Sequence, residues 1–325
     1  MEYVKLGNTG LDVSRICLGG MSFGDASRWI HSWVLGEEET EAIIKRALDL
    51  GINFFDTANV YSIGTSEEMM GNAFKKYANR DEIVIATKVH GEMHKGPNGK
   101  GLSRKAIFSE VKASMERLQV DYLDILYIHR WDYDTPIEET MRALDDLVRS
   151  GKVHYIGASS MYAWQFAKAQ EIARHNGWTE FSLMQNHYNL LYREEEREMI
   201  PLCKDQGVAL VPYSPLAAGR LTRDWDSDSR RSREDKTAKY KYDSTQEGDI
   251  VIVNRVKEIA DRYKVSRSQV AVAWLWQKGI TSPVVGVTKL EYLDDFVGAL
   301  DLKLTQEDMD YLEEAYVPHK IMGFQ

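Results

Sequence analysis

Cysteine is nearly missing from this sequence: 325 residues hold two, Cys17 and Cys203, far apart and in no C-x-x-C pair. That argues against a disulfide framework and for reduced thiols in a cytoplasm. Also missing is any apolar run of about 18 residues, the length that crosses a bilayer. The opening MEYVKLGNTG lacks the apolar stretch of a secretory leader. Basic residues are dispersed and the net charge is -9, which speaks against nucleic acid or an anionic membrane as partner. With no H-E-x-x-H and no His/Cys cluster, no metal is expected. No G-x-G-x-x-G follows the first strand, which counts against a doubly wound dinucleotide domain.

What is present is alternation. Short apolar runs read as strands at Arg15–Gly19, Ile52–Phe55, Ile83–Thr87, Leu123–Ile128, Val153–Ala158, Ser182–Gln185, Val208–Tyr213 and Ser282–Val285. Helical stretches lie between them near Glu37–Leu50, Ser66–Tyr77, Arg104–Leu118, Ile137–Arg149, Trp164–His175, Glu194–Asp205, Val251–Tyr263 and Lys289–Ala299. Gly51, Gly151 and Gly207 follow helical runs at the left-handed capping position. Strands such as DILYI and EIVIAT are apolar throughout rather than alternating, which suits sheets covered on both faces. About eight strand–helix repeats mean a (β/α)₈ barrel or a large doubly wound sheet, and the chain length suits one barrel domain over residues 1–325. Residues Tyr3–Leu6 and Asp12–Val13 resemble a small hairpin ahead of the barrel. The segment Arg220–Gly248, after the seventh strand, is dense in charge and poor in periodicity. It reads as a long loop, either an indifferent surface insertion or a cover that folds over a bound cofactor. Near the end, Thr305-x-x-Asp308 opens a last helix, which Pro318 follows.

In a barrel, reactive groups sit at the C-terminal ends of strands. INFF is followed by Asp56, IVIAT by Lys88 and ILYI by His129, while Tyr61 stands five residues after Asp56. Taken singly, each has an ordinary structural reading. Taken together, they place four proton-handling groups on one rim. A lysine beside a tyrosine is expected to lower the phenol pKa, an aspartate to hold the lysine charged, and a neutral histidine to hydrogen-bond a substrate oxygen. Such a tyrosine can protonate an alkoxide as it forms, which suits reduction of a carbonyl by an external hydride.

These residues, as Asp56-Thr57-Ala58-Asn59-Val60-Tyr61, Lys88 after IVIAT and YIHRWD around His129, resemble the aldo-keto reductase superfamily, in its aryl-alcohol-dehydrogenase-like bacterial and fungal branch. The resemblance runs from about Leu6 to Phe296. It implies an NADPH-dependent oxidoreductase acting on aldehydes or ketones, with NADH as an alternative cofactor and Asp56, Tyr61, Lys88 and His129 as catalytic residues. It further implies that Ser159 and Gln185 hold the nicotinamide carboxamide, with Ser160 where many relatives carry Asn. Tyr213 would stack on the nicotinamide ring, and Ser214, Leu216, Gly219 and Arg220 would follow the pyrophosphate. Gly286, Thr288, Lys289 and Asp295 would form the adenosine end, Thr288 and Lys289 meeting the ribose 2′-phosphate. Tyr292 stands where many relatives have Gln.

Two rival classes remain at this stage. One is a cofactor-binding regulatory or redox-sensing subunit, which typically lacks the histidine that this chain keeps at position 129. The other is a barrel lyase or isomerase using Lys88 as a Schiff base, with no cofactor. Pocket walls are expected from residues 21–36, 90–102 and the C-terminal tail. Trp29, Trp33 and Trp131 suggest an apolar or aromatic substrate; His94, Lys95, Lys100 and Arg130 would favour a phosphate or carboxylate. Oligomeric state is not legible in the sequence.

Overall fold

The computed structural model describes residues 1–227 and 233–324. Its hairpin is the antiparallel pair β1 (Tyr3–Lys5) and β2 (Asp12–Ser14). Eight parallel strands follow: β3 (Cys17–Gly19), β4 (Phe54–Asp56), β5 (Val84–Val89), β6 (Leu123–Ile128), β7 (Val153–Ser159), β8 (Leu183–Gln185), β9 (Ala209–Leu210) and β10 (Val284–Val285). They lie in the order β10-β3-β4-β5-β6-β7-β8-β9. The two edge strands meet through the parallel bridge between Tyr213 and Val284, where the Val284 N–H donates to the Pro212 carbonyl at 2.9 Å. The sheet thus curls into the expected (β/α)₈ barrel.

The apolar strands conceal a period of two. Cys17, Phe54, Val84, Ala86, Ile125, Tyr127, Leu183, Ala209 and Val211 pack together inside the barrel, with Leu6 and Val13 of the hairpin region sealing one end. Their neighbours Leu18, Phe55, Ile85, Leu126, Met184 and Leu210 face the other way and pack with the helices in a second, larger core. Both faces are covered, so both are apolar, as the unbroken runs implied. The inward row becomes polar only at the C-terminal strand ends. Phe54 is followed two residues on by Asp56, Ala86 by Lys88, Tyr127 by His129, Leu183 by Gln185 and Val211 by Tyr213. Side chains two apart share a face, so this change of polarity aims five polar groups into one end of the lumen.

Several expected boundaries shift. The stretch Glu194–Asp205 is not one helix: a 3₁₀ turn at Glu194–Glu196 precedes a helix at Met199–Asp205. Pro201 has no N–H, so it fits only the first turn of a helix and cannot continue one begun at Glu194. A helix at Arg267–Gln277 was not expected at all. Its VAVAWLW run is buried nearly all round, so it carries no amphipathic stripe and reads like a strand. Ser266, whose hydroxyl accepts from the Gln269 N–H at 3.1 Å, was the available start signal.

The charged segment also differs from a structureless loop. It holds a 3₁₀ turn at Ala217–Thr222, a helix at Lys236–Tyr242 and the start of the long helix Gln246–Tyr263. Ala238 and Tyr242 are buried and anchor it, so composition underrated its apolar hold. Arg230 and Arg231 of this segment lie outside the described residues.

Close helix packing yields a stability test. Helix Thr65–Tyr77 carries Gly71, where a Cβ would lie 2.7 Å from the main-chain carbonyl oxygens of both Arg117 and Leu118. In an isolated helix Gly→Ala gains about 1 kcal/mol. Here the backbone clash should outweigh that gain, and Gly71→Ala should destabilise by about 1–3 kcal/mol net. Equilibrium urea unfolding of parent and variant reads the difference, and a stabilised variant would show that the two helices can move apart freely.

Candidate active site

Lys88 and Asp56 project from adjacent strands into the lumen, where both are almost completely buried. Lys88 Nζ donates to Asp56 Oδ1 at 2.5 Å, to the Thr57 carbonyl at 2.8 Å and to Tyr61 Oη at 3.3 Å. The second carboxylate oxygen of Asp56 accepts from Gln185 Nε2 at 2.9 Å. Burial alone disfavours the Lys88 ammonium, but Asp56 and Tyr61 outweigh it and raise the pKa above the usual lysine value. A charged amine with its protons so engaged has no lone pair with which to attack a carbonyl, which disfavours the Schiff-base reading.

Tyr61 lies on the loop after β4. Ser62 and Ile63, just beyond it, both adopt positive φ, 48° and 49°. Left-handed backbone at two successive non-glycine residues costs roughly 1–2 kcal/mol each, and such strain concentrates at functional sites. Burial pushes the Tyr61 phenol up, and the nearby Lys88 ammonium opposes but does not reverse this. The expected lowering of its pKa is therefore not found in this structure, and Tyr61 keeps its proton at neutral pH. The Tyr61 ring meets the His129 ring edge-on at 5.8 Å and that of Trp29 at 6.1 Å. Burial, with the charge of Arg130 adding to it, drives the His129 pKa well below the usual value, so its imidazole is neutral.

A cavity of about 1260 Å³ opens above this cluster. Its wall includes Asp56, Tyr61, His129, Trp29 and Arg130 together with Gly286, Thr288, Lys289 and Asp295. Gln185, Tyr213, Ser214, Leu216 and Gly219 line it too. Ser159 and Arg220 do not. Ser159 is buried with its hydroxyl 3.4 Å from that of Ser160. Arg220 donates to Asp243 Oδ1 at 2.6 Å and lies over the Trp225 ring. Lys289 is exposed, with its Nζ 3.4 Å from Glu291 and 5.7 Å from the Tyr292 ring centroid. Asp295 is held by Ser266 Oγ at 2.8 Å.

The lining suits an extended dinucleotide. Tyr213 is a flat face backed by His187, with centroids 5.3 Å apart and planes 6° off parallel; Tyr192 stacks on the far side of that imidazole at 4.2 Å. Ser214, Ala217, Ala218 and Gly219 all have positive φ, and irregular backbone of this sort lets N–H groups converge on an anion. Arg223, Lys241 and Lys289 add positive charge along the wall. The charged segment contributes Asp235, Thr237, Ala238 and Lys241 to the lining, and Glu234 accepts from Ser32 Oγ at 2.5 Å across the mouth.

Sequence reasoning missed His187, Tyr192, Tyr242 and Lys241. HYNLLY gave a hint in its aromatic spacing, but Tyr242 reaches His187 Nε2, at 2.7 Å, only through the fold. It also missed Ser22 in the string Gly20-Met21-Ser22-Phe23-Gly24, which lines the cavity. That string can mark a serine nucleophile, yet among the described residues no histidine bonds the Ser22 hydroxyl as a base.

Beside Gln185, Asn186 Nδ2 donates to the buried carboxyl of Glu195 at 2.9 Å. Burial pushes this carboxyl up to about 8, with Asn186 opposing and Glu194 adding to the shift. In an unfolded chain the group titrates near 4.3. The folded state therefore holds the extra proton between those values, and stability from this group falls as pH rises through the window. Glu195→Gln should gain stability relative to the parent between about pH 5 and about pH 8. Thermal melts at the two pH values measure this, and a difference independent of pH would mean that Glu195 is ionised in the fold.

Comparison with known proteins agrees with this geometry. The Aldo/keto reductase family model matches residues 15–317. A versiconal hemiacetal acetate reductase of Aspergillus parasiticus is 46% identical, over 99% of this chain and 98% of its own length. A candidate aryl-alcohol dehydrogenase of Schizosaccharomyces pombe is 45% identical over 99% of this chain and 97% of its own length. An aldo-keto reductase of Alternaria alternata is 45% identical over 97% and 91%. With barrel, cluster and family match in agreement, the chain belongs to the aldo-keto reductase family and is an oxidoreductase acting on carbonyl groups.

Proposed function

We propose that this protein is an NADPH-dependent reductase of aldehydes and ketones, acting reversibly through Asp56, Tyr61, Lys88 and His129. The observation that carries the reading is the convergence of these four residues, three of which line a cavity that Thr288 and Lys289 also line. NADPH, when bound, supplies a hydride. Tyr61 Oη gives the proton: burial keeps the phenol protonated, and the Lys88 ammonium stabilises the phenolate left behind. Asp56 keeps Lys88 charged and fixed. Neutral His129 donates an N–H to the carbonyl oxygen and orients it. Most of the rate would come from positioning and from electrostatic stabilisation of the developing oxyanion.

For the cofactor, Gln185 would hold the carboxamide with Ser159, and Tyr213 would support the ring. Ser214, Leu216, Gly219 and Arg220 would follow the pyrophosphate; Gly286, Thr288, Lys289 and Asp295 would receive the adenosine end. Arg220 would have to leave Asp243 to do so. A relative named as a reductase supports reduction as the working direction. Retention of His129 favours an enzyme over a sensing subunit. Two buried free cysteines suit the reducing cytoplasm. We take residues 1–325 as one barrel unit sufficient for the activity.

Tyr61→Phe should lower kcat for an aromatic aldehyde by about 10²–10⁴-fold while NADPH affinity stays close to that of the parent. Absorbance of the reduced cofactor gives the rate, and fluorescence titration gives the affinity. Turnover near the parental level would reject Tyr61 as proton donor.

Lys289→Ala should weaken NADPH binding by about 10- to 150-fold and NADH binding far less, since only NADPH carries the 2′-phosphate. Fluorescence titration with each cofactor decides, and equal losses would mean that another residue reads the phosphate.

A further inference from the structure

We infer that Arg130 is a specificity residue that reads an oxyanionic substituent, a carboxylate, on the carbonyl substrate. The inference deepens the carbonyl-reductase reading above and rests on it. Arg130 follows His129 directly and lines the same cavity as Tyr61 and Trp29. Among the described residues its one hydrogen bond runs from Nη1 to the His129 carbonyl at 2.6 Å. A guanidinium has five N–H donors in a planar fork, so most of this fork is uncommitted.

The charges around it are unbalanced. Tyr61, His90, His129, Tyr213 and His187 are among the groups close enough to feel its charge, and none of them is a carboxylate. Among the described residues, no carboxylate forms an ion pair with it. The four acids on the cavity wall have other partners. Asp56 is bound to Lys88 and Gln185, Asp235 caps its helix through the Ala238 N–H, Glu291 meets Lys289, and Asp295 is held by Ser266. Arg130 is half-buried on the cavity wall, and a guanidinium partly withdrawn from water gains from a counter-charge. Here the protein leaves the counter-charge to be supplied from the cavity.

Position narrows the source to substrate. Arg130 and His129 belong to one strand end, and His129 faces Tyr61, where the carbonyl oxygen must lie to receive a proton. The aromatic walls beside it, Trp29 and Tyr61, would hold a planar ring between the carbonyl and the anion. A carboxylate matches the guanidinium fork with two parallel hydrogen bonds, which no neutral ester does.

The test compares 3- and 4-carboxybenzaldehyde with their methyl esters as NADPH-linked substrates of the parent and of Arg130→Gln. At least one acid should exceed its ester in kcat/KM, and the acid-to-ester ratio should fall by about 10- to 150-fold in the variant. Equal ratios in parent and variant would overturn the inference, as would a variant whose loss lies in NADPH affinity instead. A second measurement is independent of turnover: quenching of tryptophan fluorescence by benzoate and by benzamide, with NADP+ present. Benzoate should bind the parent and lose affinity in Arg130→Gln. If neither aldehyde were reduced while benzoate binding still depended on Arg130, the reductase reading would fail and the anion site would stand. If the esters were reduced as well as the acids and benzoate binding ignored Arg130, the reverse would hold.

Discussion

An ammonium group inside a barrel lumen keeps its charge only if a carboxylate meets it there, and Lys88 with Asp56 satisfies that condition. Neither residue is tenable alone, because stripping water from a single charge costs several kcal/mol. Both oxygens of Asp56 and the ammonium of Lys88 are hydrogen-bonded. The pair ties β4 to β5 where the lumen opens and fixes a positive charge 3.3 Å from the Tyr61 oxygen. One residue away on the outward face, Thr87 donates to the buried Glu67, which Arg117 balances. The strand that carries Lys88 is thus held by a charged network on each side.

Around this pair the barrel separates two tasks. The inner apolar layer supports the strands from below, and polar groups appear only where each inward row ends. Burial then acts on the groups in different directions. It keeps the Tyr61 phenol protonated and the His129 imidazole neutral, because each is then uncharged. A proton donor and a neutral hydrogen-bond donor are the forms that carbonyl reduction needs. One physical effect therefore sets both protonation states, and the Lys88 charge is spared only because it has a partner.

The cavity wall is assembled from segments distant in the chain. The stack of Tyr192, His187 and Tyr213 is braced by Tyr242 from the charged segment and by the C-terminal tail, whose Met322 N–H donates to Tyr192 Oη at 3.0 Å. Lys241 sits 4.7 Å from the Tyr213 ring centroid. The helix that carries Lys241 and Tyr242 therefore touches the proposed nicotinamide platform, and Glu234 just before it meets Ser32 across the mouth. A segment that composition marks as solvated is held by buried side chains, Leu221, Ala238 and Tyr242 among them.

By itself the sequence determined the barrel, its preceding hairpin and the four residues Asp56, Tyr61, Lys88 and His129. Strand ends are legible because an apolar run that stops at a polar residue marks where the inward row turns polar, although Asp56 and Lys88 stay buried there. It could not separate inward from outward positions, since apolar residues on both faces erase the period of two. It also hid the helix Arg267–Gln277, buried too evenly to show a stripe, and the break at Pro201 inside an otherwise helical run. Tertiary structure alone decided the direction of the Tyr61 shift, because the balance between burial and the Lys88 charge 3.3 Å away has no sequence signal. It alone turned Arg220 toward Asp243 and, among the described residues, left Arg130 without a carboxylate. Contacts between residues far apart in the chain depend on packing, and no local pattern of residue types encodes them.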